Sequence, residues 1–286
     1  MSKTVFRKDL IKKVSSNLDV TNVLTQKIID NFLLEIKKNL RDGNNVSLNN
    51  FGTFSKSIKE IGLIYSPFDG KSLENKETVR LNLTLAKNLK TFLKVPKNTF
   101  LLATHNDHKL KEIESLFPKE FHLLSLNDLN EHEDVEETGY SFEENAYLKA
   151  KFYYEKYLIP TIADDSGLVV EALDGRPGIY SKRYSGKGDY ENNVKLLTEL
   201  KGITNRSAYF HTTLCLYEET PTYFTGEVEG KIAEEIKTKE AFGYDSVFIY
   251  QGNTLFSDLA VEFKNRVSHR AKAFNKLIKY LEERYL

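Results

Sequence analysis

Apolar residues recur at helical spacing twice within the first 43 residues, which predicts two amphipathic helices. The two sets of apolar positions are Phe6, Leu10, Ile11 and Val14, and then Leu24, Ile28, Phe32, Ile36 and Leu40. Thr4 precedes the first set and is a candidate N-cap. The second helix is expected to start at about Thr21 and to stop at Gly43, because glycine favours the end of a helix.

The pattern then changes to alternation between apolar and polar residues. The segment "NVSLNNFGTFSKSI" (45–58) alternates like a strand, "PFDGK" (67–71) has turn composition, and "ETVRLNLTL" (77–85) predicts another strand. The segment "AKNLKTFLK" (86–94) predicts a short final helix. The predicted order is therefore two helices, a β-arm and a helix.

From Thr99 onwards, strand patterns alternate with amphipathic helices, which predicts an α/β layer architecture. The segment "TFLLAT" predicts a strand that turns into a helix within "HNDHKLKEIESLF". Ser141 and Glu144 form a capping box at the start of a second helix, and Ser268 is a candidate N-cap of a long C-terminal helix. We divide the chain into a domain at 1–95, a linker at 96–98 that Pro96 stiffens, and a domain at 99–286.

Composition agrees with two globular domains in 286 residues, of which 40% are hydrophobic. The N-terminus lacks the apolar core of a signal peptide, and no apolar run approaches the roughly 18 residues of a membrane span. Cys215 is the only cysteine, so neither an internal disulfide nor a cysteine-based zinc site can form. We expect a cytoplasmic protein with no membrane partner.

Charge separates the two halves although the total is zero. Residues 1–96 contain 17 Lys and Arg against 9 Asp and Glu, a net charge of +8, and the remainder has a net charge of −8. A basic half suggests a nucleic-acid partner, and an acidic half suggests a ligand bridged by metal. Solvated surface charge would give the same imbalance.

Two acidic positions in the second half suggest a metal site. Asp164 and Asp165 come where the apolar run "TIA" meets a glycine, at what we interpret as a strand end. Glu137, with Glu136 beside it, lies in a loop before the Ser141 helix. Mg²⁺ prefers one or two carboxylates together with water and phosphate oxygens, so these acids could share it with a polyphosphate.

Basic residues near two predicted helix starts suggest sites for anions. The turn before the "HKLKEIESLF" helix directs backbone N–H groups outward, with Lys109 available as a point charge. His269 and Arg270 occupy the first turn of the C-terminal helix, where the helix dipole disfavours cations unless an anion binds. By contrast, no third metal ligand lies near His105 and His108 in the sequence, so we interpret them as surface or capping residues.

The first ninety-six residues resemble the bacterial histone-like HU/IHF family. The resemblance lies in "NNFGTF" (49–54), in Pro67 and Gly70-Lys71 of the arm turn, and in "LAKNLKTFLK" (85–94). It implies a small α+β domain that forms dimers and grips the DNA minor groove with β-arms, Pro67 acting as the intercalating wedge and Lys71 as a DNA contact. The arm, residues 56–80, is nearly neutral, so a module that mainly dimerises remains an alternative.

The chain from about Thr99 to its end resembles the HAM1/RdgB-type inosine triphosphate pyrophosphatase family. The matching segments are "ATHNDHK", "EETGYSFEENAYLKA", "IADDSGLVVEALDGRPGIYSKRYSG", "FGYD" and "KNRVSHRAKA". The resemblance implies a long twisted mixed sheet in two lobes with a central cleft, a homodimer, and Mg²⁺-dependent hydrolysis of ITP, dITP or XTP to the monophosphate and pyrophosphate.

The resemblance also implies the roles of individual residues. The phosphate-binding loop would comprise Thr104, His105, Asn106, Asp107, His108 and Lys109. The metal ligands would be Glu137 and Asp165, with Asp165 also the proton acceptor and Ser166 beside it on the substrate. The remaining contacts to the nucleotide would come from Phe242, Gly243, Tyr244, Asp245, Lys264, His269 and Arg270.

In the chemistry that follows, water attacks the α-phosphorus while Mg²⁺ and Lys109 stabilise the charge on the phosphate oxygens. Asp164 would tune Asp165 by like-charge coupling, and which of the two takes the proton stays open. Two other functions remain possible: a nucleoid-associated DNA-binding protein with a nucleotide-sensing domain, and a Maf-like nucleotide pyrophosphatase. An association with the nucleoid is expected if the first domain binds DNA.

Overall fold

The computed structural model describes residues 4–60, 64–65, 72–73, 77–237 and 242–286. The chain divides into two compact units, Met1–Leu93 and Lys94–Leu286. Among the described residues, no helix is both long and apolar enough to cross a membrane. The arm turn, with Pro67 and Lys71, lies outside the described residues.

The first unit consists of two helices, a three-stranded antiparallel sheet and a final helix. Its elements are α1 (Arg7–Asn17), α2 (Asn22–Arg41), β1 (Val46–Leu48), β2 (Gly52–Glu60), β3 (Ile64–Tyr65), β4 (Ser72–Leu73), β5 (Glu77–Leu85) and α3 (Lys87–Lys94). The sheet order is β1-β2-β5, and β3 pairs with β4. The predicted element order is confirmed.

Two local predictions in this unit are wrong. Thr4 does not cap α1: Phe6 occupies the N-cap position, because the Asp9 carboxylate accepts the Phe6 N–H at 3.2 Å. The predicted continuous strand at 45–58 is split by a turn in which Asn50 has φ 59°. At Gly52 a Cβ atom would lie 2.4 Å from the Thr84 carbonyl oxygen, so the close β2–β5 pairing after this turn requires glycine.

The second unit is built on a six-stranded mixed sheet. In chain order its elements are β6 (Thr99–Leu102), α4 (Asp107–Leu116), β7 (His122–Ser125), α5 (Phe142–Tyr157), β8 (Thr161–Val170), two 3₁₀ helices (Glu171–Leu173 and Gly178–Arg183), α6 (Asp189–Glu199), β9 (Ser207–Tyr217), β10 (Pro221–Ile232), β11 (Phe248–Ile249), a 3₁₀ helix (Phe256–Asp258), α7 (Val261–Val267) and α8 (His269–Tyr285). The strand order is β11-β10-β9-β8-β6-β7. Strand β6 runs parallel to β7 and β8, and β8, β9, β10 and β11 pair antiparallel. The predicted twisted mixed sheet with flanking helices is confirmed.

Helices cover both faces of this sheet. On one face, α4 and α8 pack on Phe100, Ile162 and Leu214, with Phe274 and Leu277 fully buried. On the other face, α5 packs on alternate residues of the same strands, and a third cluster forms around the far ends of β8, β9 and β10. Successive residues of a strand therefore contribute to different cores.

Strand β8 continues through the acidic pair, so the prediction of a strand end at Asp164 and Asp165 is wrong. The strand runs without interruption from Thr161 to Val170 and pairs with β9 along its whole length. Because side chains alternate along a strand, the two carboxylates face opposite sides of the sheet. The two like charges are adjacent in sequence but are separated by the strand.

The two predicted N-caps of this unit are confirmed, but one of the expected hydrogen bonds goes to a different N–H group. The Ser268 Oγ accepts the Ala271 N–H at 3.0 Å, and the Ser141 Oγ accepts the Glu144 N–H at 3.1 Å. The Glu144 carboxylate, however, accepts the N–H of Tyr140 at 2.6 Å rather than that of the N-cap itself. The helix α7 was not predicted.

Candidate functional site

A cleft of about 1170 Å³ lies in the second unit, where β8 meets the start of α4, one face of α5 and the start of α8. Both aspartates of the acidic pair line it. The structure brings together the following predicted residues: Thr104, His105, Asn106, Lys109, Glu137, Asp164, Asp165, Ser166, Phe242, Gly243, Tyr244, Asp245, Lys264, His269 and Arg270. Asp107 is exposed at the first position of α4, and the side chain of His108 lies outside the described part.

The loop between β6 and α4 is held by its own side chains. The Thr104 Oγ1 accepts the Asn106 N–H at 3.2 Å, and the Asn106 Oδ1 accepts the Lys109 N–H at 3.2 Å. His105 turns away to the Glu133 carbonyl oxygen, 3.2 Å from its Nε2. Of the six residues predicted for this loop, Lys109 directs its charge at the acidic pair.

Asp164 is surrounded by cations. Its Oδ2 lies 2.7 Å from the Lys109 Nζ and 3.8 Å from the Arg270 Nε, and it accepts the Ser166 hydroxyl at 2.8 Å. Burial alone would raise the pKa of Asp164, but Lys109, Arg270 and Lys149 hold it well below its usual range. Asp164 is therefore ionised at any physiological pH and acts as a fixed negative charge.

Asp165 has the opposite environment. Its Oδ2 accepts the Asn145 Nδ2 at 3.0 Å and its Oδ1 accepts the Ser166 N–H at 3.0 Å. Burial, helped by the charge of Glu137, raises the pKa of Asp165 to about 6, although Lys149 opposes the shift. This carboxylate can therefore take up and release a proton near neutral pH.

Glu137 approaches the acidic pair from the loop before α5. Its two oxygens each lie 3.0 Å from a cation, the Lys149 Nζ and the Arg183 guanidinium. Burial would raise the pKa of Glu137, but these two cations lower it. Lys149 also donates to the Asp164 carbonyl oxygen at 2.5 Å, and the surrounding carboxylates raise the pKa of Lys149 against the effect of burial.

The other end of the cleft is aromatic. His269 stacks on Phe210 with ring centroids 4.9 Å apart, and Lys264 lies over the Phe256 ring at 5.0 Å while pairing with Asp245. The His269 Nδ1 is buried without a hydrogen-bond partner among the described residues. Burial, with the charge of nearby Arg270, holds the pKa of His269 well below its usual range, so the ring is neutral.

Arg270 is positioned between the two ends. Its guanidinium pairs with Glu112 of α4, whose other oxygen lies 3.3 Å from the Ser268 hydroxyl. Asp245 is buried at 7% exposure, and burial raises its pKa despite the pairing with Lys264. Donors and acceptors here lie beside flat apolar rings, which is the composition of a pocket for a heterocyclic base.

Sequence reasoning missed several residues of the site, among them Glu112, Asn145, Lys149 and Arg183. Asn145 and Lys149 are four apart on α5, and each directly precedes a fully buried alanine, Ala146 and Ala150. Polar side chains on an inward helix face were a usable signal, because buried polar groups need partners. Glu112 and Arg183 had no such signal, since their partners come from distant parts of the chain.

Comparison with known proteins gives two family matches. Residues 100–280 match the model of the Ham1 family, and residues 5–94 match that of the bacterial DNA-binding protein family. A dITP/XTP pyrophosphatase of Christiangramia forsetii is 43% identical over 187 residues, covering 64% of this chain and 98% of the relative. The corresponding protein of Bacillus subtilis is 45% identical over 191 residues, covering 64% and 96%.

A solved structure gives the same result for the fold. The Ham1 protein of Staphylococcus aureus is 38% identical and superimposes with a TM-score of 0.60, covering 65% of this chain and 98% of that protein. The part of this chain that superimposes is about as long as the second unit. The mixed sheet and its cleft are thus those of a known architecture.

Proposed function

The chain belongs to the Ham1 family, and on that premise we propose that its second unit hydrolyses non-canonical purine nucleoside triphosphates to the monophosphate and pyrophosphate. The substrates we propose are ITP, dITP and XTP, and the names of the relatives support this choice. The role would be to remove these nucleotides from the cellular pool.

The observation behind this proposal is the contrast between the two adjacent aspartates. Asp164 is fixed as an anion by Lys109 and Arg270, whereas Asp165 has a pKa of about 6 on the opposite side of the strand. A general base works best when its pKa lies near the working pH. In this proposal Asp165 accepts the proton, and Asp164, paired with Lys109, is a positioning residue that holds Lys109 in the cleft.

The reaction is an in-line displacement at the α-phosphorus. Asp165 takes a proton from the attacking water, the new bond forms between the water oxygen and the α-phosphorus, and the bond from that phosphorus to the β-bridging oxygen breaks. Pyrophosphate leaves with the electron pair of the broken bond. Lys109 and Lys149 stabilise the charge on the phosphate oxygens within a buried site, where such interactions are strong.

The residues present fit Mg²⁺. Glu137 and Asp165 both line the cleft and supply carboxylate oxygens, the hard donors that Mg²⁺ prefers. The described residues contain no cluster of three or more His, Cys, Asp or Glu that could hold a metal alone, which suits an ion shared with phosphates. When bound, the ion would neutralise charge on the triphosphate and align it.

Base selectivity follows from the donors at the aromatic end. Hypoxanthine and xanthine present a keto acceptor at the 6-position, where adenine presents an amino donor. Arg270 can donate to the keto oxygen, whereas an adenine amino group would leave a buried donor unpaired. We therefore expect strong discrimination against ATP.

A substrate panel tests the proposed activity. With Mg²⁺, the protein should release pyrophosphate from dITP, ITP and XTP at a kcat/KM at least about a hundredfold above that for ATP. A Maf-like preference for pyrimidine triphosphates, or orthophosphate as the sole product, would contradict the proposal. Binding of dITP without turnover would instead favour a nucleotide-sensing domain.

We also propose that the first unit forms a homodimer that binds DNA, as its family match suggests. Its apolar side chains are largely exposed: among the described residues of this unit, the buried hydrophobic ones are Ile11 and Leu40. Surface of this kind needs a partner, and a second copy presents the same apolar face. An electrophoretic shift that weakens with salt would support DNA binding, and the lack of any shift at low salt would refute it.

A further inference from the structure

Two adjacent asparagines on α6 hold the two walls of the cleft. Asn192 and Asn193 are each 2% exposed, on a helix that contributes no group to the reaction described above. Neighbouring residues of a helix point about 100° apart, so two such side chains reach different surroundings. Their burial is unusual for amides and calls for specific partners.

Asn192 holds the last residues of the 3₁₀ helix Gly178–Arg183 and the residues that follow it. Its Nδ2 donates to the carbonyl oxygens of Ser181 and Lys182, each at 3.2 Å. Its Oδ1 accepts both the N–H and the hydroxyl of Ser185 at 2.7 Å. All the hydrogen-bonding capacity of this amide is used on one segment, which also carries Arg183, the partner of Glu137.

Asn193 holds the opposite wall, the 242–246 loop. Its Nδ2 donates to the Gly243 carbonyl oxygen at 2.8 Å and to the Ser246 hydroxyl at 3.2 Å. The Gly243 N–H is in turn accepted by Asp189, at the start of α6, at 2.8 Å. Both backbone groups of Gly243, which has φ 60°, are thus fixed by side chains of one helix.

One direct link joins the two walls. The Tyr244 hydroxyl donates to the Ser181 carbonyl oxygen at 2.9 Å, the same oxygen that accepts from Asn192. The Ser181 hydroxyl also accepts the Leu168 N–H of β8 at 2.9 Å. The chain of contacts therefore connects α6, both walls and the strand of the acidic pair.

We propose that Asn192 and Asn193 are positioning residues that each fix mainly one wall of the cleft, Asn193 the wall on the nucleoside side and Asn192 the wall on the side of the leaving pyrophosphate. The inference rests on the proposed function and extends it. Asn193 holds the loop next to Asp245, Lys264 and the aromatic rings. Asn192 binds the backbone of Lys182, next to Arg183; both cations line the cleft, and Arg183 pairs with Glu137.

The matched variants Asn192→Ala and Asn193→Ala, made in the full chain, test whether the two asparagines position different walls of the cleft. Both remove a 2%-exposed amide from the same helix, but Asn192 makes four of the hydrogen bonds described above and Asn193 two, so the two probes are compared within each variant. The probes are dIMP, which lacks the leaving group, and inorganic pyrophosphate, which lacks the base, each titrated calorimetrically with Mg²⁺ present.

Asn193→Ala should weaken dIMP binding about tenfold and leave pyrophosphate binding within about twofold, since one or two hydrogen bonds to the loop are lost. Asn192→Ala should show the reverse. In turnover, Asn193→Ala should raise the KM for dITP with kcat unchanged, which is the signature of lost uniform binding. Asp189→Ala, at an exposed position, removes the other contact to Gly243 and should act like Asn193→Ala even if the buried variants fail to fold.

Equal weakening of both probes by both alanine variants would overturn the inference, because that is the result of a merely structural role. Unchanged binding in Asn193→Ala and Asp189→Ala would overturn it too. If the wild-type protein turns over dITP but the variants do not separate the probes, the inference alone fails. If the wild type releases no pyrophosphate and binds neither probe, the proposed function fails and the inference fails with it.

Discussion

In residues 94–286 helices cover both faces of one sheet, whereas in residues 1–93 the helical apolar faces remain exposed. Leu277 and Leu281 of α8 are fully buried, while Ile28 and Phe32, at the same spacing of four residues on α2, are 58% and 52% exposed. Both helices show the same amphipathic pattern in sequence. The pattern therefore predicts a helix and an apolar face, but not whether the same chain covers that face.

The proposed roles of the two units also differ: the second unit carries the candidate active site, and the first unit is proposed to dimerise. Among the described residues, those that line the candidate site belong to the second unit, which has three apolar clusters of its own. The first unit has a three-stranded sheet and two long helices but little core in a single copy. We expect substitutions in the first unit to leave pyrophosphate release unchanged, and substitutions in the second unit to leave dimerisation and DNA binding unchanged.

The largest expected effect is in the second unit. Asp165→Asn should lower kcat for dITP by at least about a thousandfold, because the amide cannot accept the proton from water. The circular dichroism spectrum and DNA binding should not change. Glu136→Gln, an exposed acid in the loop beside Glu137, is the matched control and should keep full activity. Substantial activity in Asp165→Asn would remove this residue from the mechanism.

The next effect is in the first unit. Ile28→Asp should raise the dissociation constant of the dimer formed by this unit about a hundredfold, because a twofold axis places the new charge in the interface twice. Sedimentation equilibrium and a salt-titrated DNA shift measure the change, and pyrophosphate release per site should be unaffected. Gln26→Asp changes an exposed polar position on the same helix and serves as the control. A stoichiometry that Ile28→Asp does not alter would show that this face is not the contact.

A pH-dependent contribution to stability distinguishes the second unit further. Burial alone would raise the pKa of Glu131, but hydrogen bonds from Lys156 and Tyr157 lower it to about 2. Since the folded-state pKa lies below the unfolded value of 4.5, the stabilisation is present above pH 4.5 and is lost as pH falls towards 2.

Glu131→Gln should therefore lower the free energy of unfolding of this unit by about 2 kcal/mol at pH 7, and the deficit should shrink as pH falls through that window. Urea unfolding at several pH values measures it. Glu133→Gln removes the exposed partner of the same Lys156, 2.6 Å away, and should cost only a few tenths of a kcal/mol, as is typical of surface pairs. If the difference in free energy of unfolding between the wild type and Glu131→Gln stayed constant down to pH 2, the lowered pKa of Glu131 would be contradicted.

The smallest effects come from two equivalent helix caps. Thr21 accepts the Leu24 N–H at 3.2 Å in the first unit, and Ser268 accepts the Ala271 N–H at 3.0 Å in the second. Replacing either by alanine should cost about 1 kcal/mol. For Thr21→Ala the apparent cost should change with protein concentration, because folding of that unit is linked to dimerisation, whereas for Ser268→Ala it should not. Concentration-independent melting in both variants would refute that linkage.

The sequence predicted the Ser268 cap and the start of α2 at about Thr21, because each depends on residues within a few positions of one another. The strand through Asp164 and Asp165 was placed wrongly at an end, because its continuation depends on pairing with β9, more than 40 residues away. For the same reason, the Lys149 and Arg183 contacts to Glu137 could not be derived from local pattern. The predicted DNA contacts, Pro67 and Lys71, lie outside the described residues and stay predictions.

The position of water attack tests the central claim most directly. Turnover of dITP in H₂¹⁸O, followed by mass spectrometry of both products, identifies which phosphorus the water oxygen joins. The account predicts one ¹⁸O atom in dIMP and none in pyrophosphate, because Asp165 activates water for attack on the α-phosphorus. Label in pyrophosphate would place the attack at the β-phosphorus and contradict the proposed site.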